Sequence, residues 1–262
     1  MDGMLSQEEI NALLGGMGDS AENTSDVVAN EPTPAAADSN ERLSPEESDA
    51  LGEIANISMG TAATTLSVLV NNRVEITTPK LSYVTLNDLK EQNPAPCVFI
   101  YISYRTGLEG KNILVLKEHD VKVITDLMMG GDGTNTDAEL TDLHLSAISE
   151  AMNQMMGSAA TSMSSMINEK VDISPPSSTR VDLTDTMMED GLHDMVGQTF
   201  VQVSFRMTIG DLVDSEIMQL YPFDFAKLIY TRFRSTMEGG MEETAASEPE
   251  PAPQPEPVAA RV

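Results

Sequence analysis

Glu53 and Asn56 stand three residues apart, and Glu150 and Asn153 repeat that spacing 97 positions later. On a helix, residues i and i+3 project from one face, so each pair presents a carboxylate beside a carboxamide. Asp49 in the first copy and Ser146 in the second lie one further turn upstream. A lone Glu is ordinarily a solvated helix residue. Asn is different, because it has low helix propensity and gains little in a helix interior without a task. Both copies keep it. Gly60 and Gly157, one turn beyond each Asn, leave room for another backbone to approach.

Other chemistries find less support. His119, His144 and His193 are scattered, with no spacing suited to a metal site or a relay. A paired-carboxylate hydrolase would need Asp49 and Glu53 duplicated, but the second copy offers Ser146 in place of Asp49. The Gly-rich run Leu127–Gly133 follows a helical pattern instead of opening one and lacks Gly-Lys-Ser/Thr, so it reads as a helix stop and turn. The 18 methionines read as core filling.

The elements that carry these pairs belong to a duplication. Shifting the chain by 97 positions aligns Asn56–Pro79 with Asn153–Pro176, and eleven of those 24 positions are identical without a gap. A period of this length exceeds the 20–50 residues of solenoids, so two copies in one pseudo-symmetric domain are expected. The first copy opens at Ser44, with Pro45 at N1 and Glu47 at N3, which spells a capping box. Leu51, Ile54, Ala55, Ala62, Leu66, Leu69 and Val70 trace its apolar face until Asn71-Asn72. The second copy begins near Thr141 and runs through Ile148, Met152, Met155, Met156, Ala159 and Met166.

Short β-like runs follow each helix. They are 73–77, 80–86, 98–104 and 112–116 in the first copy, and 170–174, 179–184, 200–209 and 215–221 in the second. Alternation of Val201, Val203 and Phe205 with Gln202, Ser204 and Arg206 predicts antiparallel strands with one face buried. Helices over 119–129 and 223–237 close the copies. The fold class is α+β: a shared antiparallel sheet flanked by helices.

Charge divides the chain further. Fifteen Lys+Arg stand against 42 Asp+Glu, a net charge of −27, which speaks against a basic nucleic-acid groove. Residues 1–41 carry nine acids and no base, while 238–262 carry six acids, one Arg and a Pro-rich pattern. Both ends are expected to be disordered, because they cannot bury enough apolar surface to offset the entropy of ordering. The expected layout is an N-terminal peptide over 1–18, a linker over 19–42, a domain over 43–237 with repeats near 43–139 and 140–237, and an acidic Pro-rich linker over 238–262. Lone Cys97 excludes a disulfide within the chain and fits a reducing cytosol. No apolar run approaches the ~20 residues of a membrane span, and the N-terminus lacks the pattern of a signal peptide.

One island in the N-terminal tail is patterned. Ser6 at N-cap and Glu9 at N3 form a capping box, Leu5 and Ile10 have the spacing of a hydrophobic staple, and Ile10, Leu13 and Leu14 make one apolar stripe. Such a short capped helix on a leash fits the groove of a partner, or folds back onto its own domain.

The spacing Asp49-x3-Glu53-x2-Asn56, with Pro79 after 22 intervening residues, resembles the signature of the CheC/CheX/FliY phosphatases of bacterial chemotaxis. Ser146-x3-Glu150-x2-Asn153 with Pro176 matches it again. The segment Leu5–Leu14 is similar to the motif by which FliM and FliY proteins capture the phosphorylated response regulator CheY.

The resemblance implies a phosphatase acting on the aspartyl phosphate of CheY, as a component of the flagellar motor switch. It implies that Asn56 and Asn153 orient the attacking water and that Glu53 and Glu150 pair with the regulator's active-site lysine. Asp49, Ser146 and Leu5, Ser6, Glu9, Ile10, Leu13 and Leu14 would then be partner-binding residues, and Pro79 and Pro176 structural markers. No cofactor or metal of its own is implied, since Mg²⁺ belongs to the receiver-domain substrate. Implied partners are CheY, the switch proteins FliM and FliG, and a FliN-like ring, at the cytoplasmic face of the flagellar basal body. Relatives continue past an acidic linker into a FliN-like domain, so a chain ending at Val262 is expected to be either a truncated form or a variant, with ring attachment through the missing domain. Two alternatives are a non-catalytic CheY-binding adaptor and a ligand-binding sensor, the latter needing a pocket that the sequence does not indicate.

Overall fold

The computed structural model describes residues 42–183 and 195–245. The N-terminal peptide with Leu5, Ser6, Glu9, Ile10, Leu13 and Leu14, and the distal acidic tail, lie outside the described residues.

Helix α1 (Pro45–Leu69) starts as its sequence requires. Ser44 Oγ accepts from Glu47 N at 3.2 Å, and Ser44 N donates to Glu47 Oε2 at 2.7 Å. Strands β1 (Val74–Ile76) and β2 (Lys80–Thr85) follow, then helix α2 (Leu86–Gln92), the hairpin of β3 (Cys97–Thr106) and β4 (Gly110–Lys117), and helix α3 (Glu118–Met128). The second repeat runs α4 (Asp142–Ile167), β5 (Asp172–Ile173), β6 (Ser177–Val181), β7 (Thr199–Ile209), β8 (Val213–Pro222) and α5 (Phe223–Ala245).

Identical residues of the two repeats do identical structural work. Ser67 Oγ donates to Ala63 O at 2.8 Å and accepts from Val74 N at 2.9 Å. Ser164 Oγ does the same with Ala160 O and Val171 N, both at 2.8 Å. Each serine thus ties the end of a long helix to the strand that follows. Asn71 and Asn168, with φ of 49° and 51°, take the left-handed turn between them; Asn tolerates that conformation better than other side-chain-bearing residues.

The eight strands form one antiparallel sheet in the order β1-β7-β8-β4-β3-β5, with β2 also on β7 and β6 also on β3. The repeats exchange their short strands. β1 and β2 of the first pair with β7 of the second, while β5 and β6 of the second pair with β3 of the first. Because α1 leads into β1 and α4 into β5, at opposite edges, the two long helices run in opposite senses across the sheet. They touch through Thr65 Oγ1, which donates to Ser158 Oγ at 2.8 Å.

One sheet face packs against α1, α3, α4 and α5 through Ile100, Leu114, Val203 and Phe205, joined by Met59, Met152, Met155, Met156 and Met163. The aromatic rings of Tyr104 and Phe225 lie 5.2 Å apart, and Gly110 leaves the space that the Phe225 ring fills.

Three expectations need correction. The alternation in β7 predicts one buried face, yet Gln202 and Ser204 are also buried, with Gln202 Nε2 donating to Ser204 Oγ at 2.8 Å. The second face carries its own core of Val84, Leu86, Leu89, Phe99, Val115, Phe200 and Leu220, so both sides of the sheet are covered. The expected strand 80–86 ends at Thr85, where Thr85 caps α2: its N–H donates to Asp88 Oδ2 at 2.7 Å. The closing helix runs to Ala245 instead of 237, through Gly239 and Gly240, with the Arg234–Glu238 pair at i, i+4 along it.

Leu127–Gly133 is a helix stop, as expected. α3 ends at Met128, Gly130 and Gly133 take φ of 88° and 81°, and Gly133 N donates to Asp126 Oδ2 at 2.8 Å.

Candidate functional site

Helix α1 buries Leu51, Ile54, Ala55, Met59, Ala62 and Leu66, and that stripe determines which residues must point away. Asp49, Glu53 and Asn56 fall on the opposite side and are exposed. Helix α4 repeats the arrangement. Ile148, Ala151, Met152, Met155 and Met156 are buried, Ser146 and Glu150 are exposed, and Asn153 is partly exposed. The structure therefore places each Glu and Asn on one accessible helix face, one on α1 and one on α4.

Among the described residues, neither Asn56 nor Asn153 spends its carboxamide on a neighbour. Nor does Glu53 find a side-chain partner there. A carboxamide without protein partners keeps one acceptor and two donors for water or a docking molecule. The contrast with the other repeated residues is informative. Ser67, Asn71, Val74 and their mates pack or cap, whereas Asn56 and Asn153 make no side-chain contact that would explain their duplication in a helix interior.

The glycines one turn on fit the same picture. A Cβ built at Gly60 or Gly157 meets nothing within 4 Å, so neither glycine is required by packing inside the chain. Pro79 and Pro176 occupy the links β1–β2 and β5–β6. Pro176 is buried and Pro79 partly so, and neither stands on the exposed faces of α1 and α4.

Residues 46–83 and 143–180 match the family model of CheC-like proteins, and these two stretches hold both Glu/Asn pairs and both prolines. The chain is also 40% identical to the crystal structure of Thermotoga maritima FliY, with a TM-score of 0.68, covering 74% of this chain and 98% of that one. The chain belongs to the CheC-like family.

Another CheC-like relative is the flagellar motor switch phosphatase FliY of Bacillus subtilis, 43% identical over 254 residues. The match takes in 97% of this chain and 64% of that protein's length. The FliM middle domain from H. pylori shares the fold at 15% identity, with a TM-score of 0.56 over 72% of this chain and 99% of that one.

One feature of this CheC-like site escapes a motif search. The residue after each Asn differs between repeats: Ile57, 43% exposed, in α1 and Gln154 in α4. Gln154 Nε2 donates to Glu150 Oε1 at 2.8 Å, so the second acid is held and the first is loose. The aligned repeats do display this difference, but only the folded helix shows that Gln154 reaches the acid.

Proposed function

We propose that this chain accelerates hydrolysis of the aspartyl phosphate on the response regulator CheY within the flagellar motor switch. A single observation carries the reading: two carboxamides, exposed Asn56 and partly exposed Asn153, bind nothing else among the described residues and stand one turn past an exposed acid. Membership of the CheC-like family and likeness to a flagellar motor switch phosphatase support it.

An acyl phosphate on a receiver domain is a labile substrate that brings its own Mg²⁺. What it lacks is a water held in line with phosphorus, and phosphoryl transfer depends chiefly on such positioning and on charge stabilisation. In this reading the Asn carboxamide accepts a hydrogen bond from the water and presents the water's oxygen to phosphorus. The new P–O bond forms as the bond to the regulator's aspartate breaks. The aspartate leaves as a carboxylate, and the water's proton passes to the departing inorganic phosphate. Glu53 and Glu150 pair with the regulator's active-site lysine and set the register in which Asn enters. Asp49 and Ser146 extend the docking surface by a turn. The N-terminal segment with Leu5, Ser6, Glu9, Ile10, Leu13 and Leu14 captures the same regulator and raises its local concentration. Association with FliM, FliG and a FliN-like ring at the cytoplasmic face of the basal body belongs to the same proposal.

The test is phosphate release from phosphorylated CheY. Asn56→Ala combined with Asn153→Ala should lower the acceleration about 100-fold or more while CheY binding survives. Each single variant should retain the share of the remaining site. A double variant that still accelerates phosphate loss overturns the positioning role. An intact protein that binds CheY without changing phosphate decay is a docking adaptor instead.

A further inference from the structure

The two faces differ at a position that touches the acid. Gln154 Nε2 donates to Glu150 Oε1 at 2.8 Å, an i, i+4 contact along α4. Its equivalent in α1 is Ile57, which has no donor, and Glu53 engages no side chain among the described residues. One acid is restrained and the other is free.

From this contrast we infer that Gln154 is a positioning residue, which holds Glu150 ready to meet a cation of the docking regulator. The inference rests on the phosphatase reading of the two faces. A glutamate loses rotamer freedom when it is fixed in an interface, and a side chain already held in place has less left to lose. Gln154 is neutral, so it occupies Oε1 without cancelling the carboxylate's charge and leaves Oε2 for the incoming cation. The second face then engages CheY at a concentration about two- to five-fold lower than it would with a residue lacking that donor. The saturated rate stays the same, because the water is held by Asn153 and not by Gln154.

Two full-length single-site chains separate the faces: Asn56→Ala leaves the second active, and Asn153→Ala leaves the first. In the Asn56→Ala chain, Gln154→Met keeps the side-chain length, removes the N–H, and should raise KM about two- to five-fold with kcat unchanged. With Glu150→Ala also present, Gln154→Met should add nothing further. In the Asn153→Ala chain, Ile57→Gln should lower KM by a similar factor. An unchanged KM, a change carried by kcat, or an undiminished Gln154→Met effect in the Glu150→Ala background overturns the inference.

A second readout does not depend on activity. The side-chain amide resonances of Gln154 should move when Glu150→Ala removes their acceptor. A silent amide overturns the inference whatever the enzyme does. If the amide responds but no chain releases phosphate, the phosphatase reading is what fails. The dissociation constant for CheY loaded with beryllofluoride then takes the place of KM, with the same ratio expected.

Discussion

Leu114 and Gln219 stand opposite one another in the β4–β8 pair at the centre of the sheet, and they are equivalent residues of the two repeats. The equivalence follows from register. Ile76 pairs with Met207 and Ile173 with Tyr104, while Tyr104 pairs with Gly110 and Met207 with Ser215. The offset between repeats thus grows from 97 to 103 to 105 along the chain, and at 105 Leu114 maps onto Gln219. The pseudo-twofold axis passes between them. Met59 and Met156, mates at the offset of 97, both approach Gln219 Nε2, at 3.2 and 3.9 Å from their sulfurs.

That polar side chain on the axis has a consequence for stability. Gln219 Oε1 accepts from the buried Tyr221 hydroxyl, whose pKa burial pushes well above the usual phenol range, so it stays a donor. Gln219→Leu would make the axial pair alike but remove that acceptor and leave the hydroxyl only Asn112 beside it, at a cost of about 1–3 kcal/mol. Adding Tyr221→Phe should recover most of the loss, because removing both partners of a buried hydrogen bond is close to neutral. Urea unfolding of the single and double variants measures this. A double variant no more stable than Gln219→Leu would show that the hydroxyl is not the group at stake.

Cys97 provides a probe of folding and of pH. It is buried on the second sheet face, and burial raises its pKa from 9.0 to about 11, outweighing the opposing charge of Lys117. The native thiol should therefore resist alkylation at pH 8 and react at the rate set by opening of the domain. The unfolded chain loses this proton first, so the contribution of Cys97 to stability declines as pH rises from 9.0 to about 11. Mass spectrometry after timed labelling checks both statements. Labelling as fast as that of a model thiol would place Cys97 at the surface.

The N-terminal segment should act through concentration. A flexible chain of roughly 26 residues, the number between Gly15 and Arg42, would have an r.m.s. span of about 25–30 Å. A tether of that kind supplies an effective concentration of order millimolar. Deleting residues 1–18 should thus raise the CheY concentration needed for half-maximal phosphate release and leave the saturated rate nearly unchanged. Steady-state kinetics on the shortened chain decides, and a large fall in the saturated rate would give the segment a part in the chemistry or the folding.

Local pattern determined a good deal on its own. Ser44-Pro45 and Glu47 specified the start of α1 through capping contacts made within four residues, and Thr141 placed that of α4. The 3.6-residue period put Leu51, Ile54 and Met59 inward and thereby turned Glu53 and Asn56 outward. The 97-residue offset exposed the duplication and with it the second Glu150/Asn153 pair. Even α2 was written in the chain, in Thr85 and Asp88, but its seven residues disappear beside a β-like run.

Only the tertiary structure decided the rest, because those features depend on partners distant along the chain. Exchange of β1, β2, β5 and β6 between repeats is a choice of long-range pairing, to which strand periodicity is blind. Burial of Gln202 and Ser204 follows from a second layer that covers a face whose alternation reads as solvated. A residue's face is set by its own neighbours in sequence, whereas what covers that face is set by the whole chain.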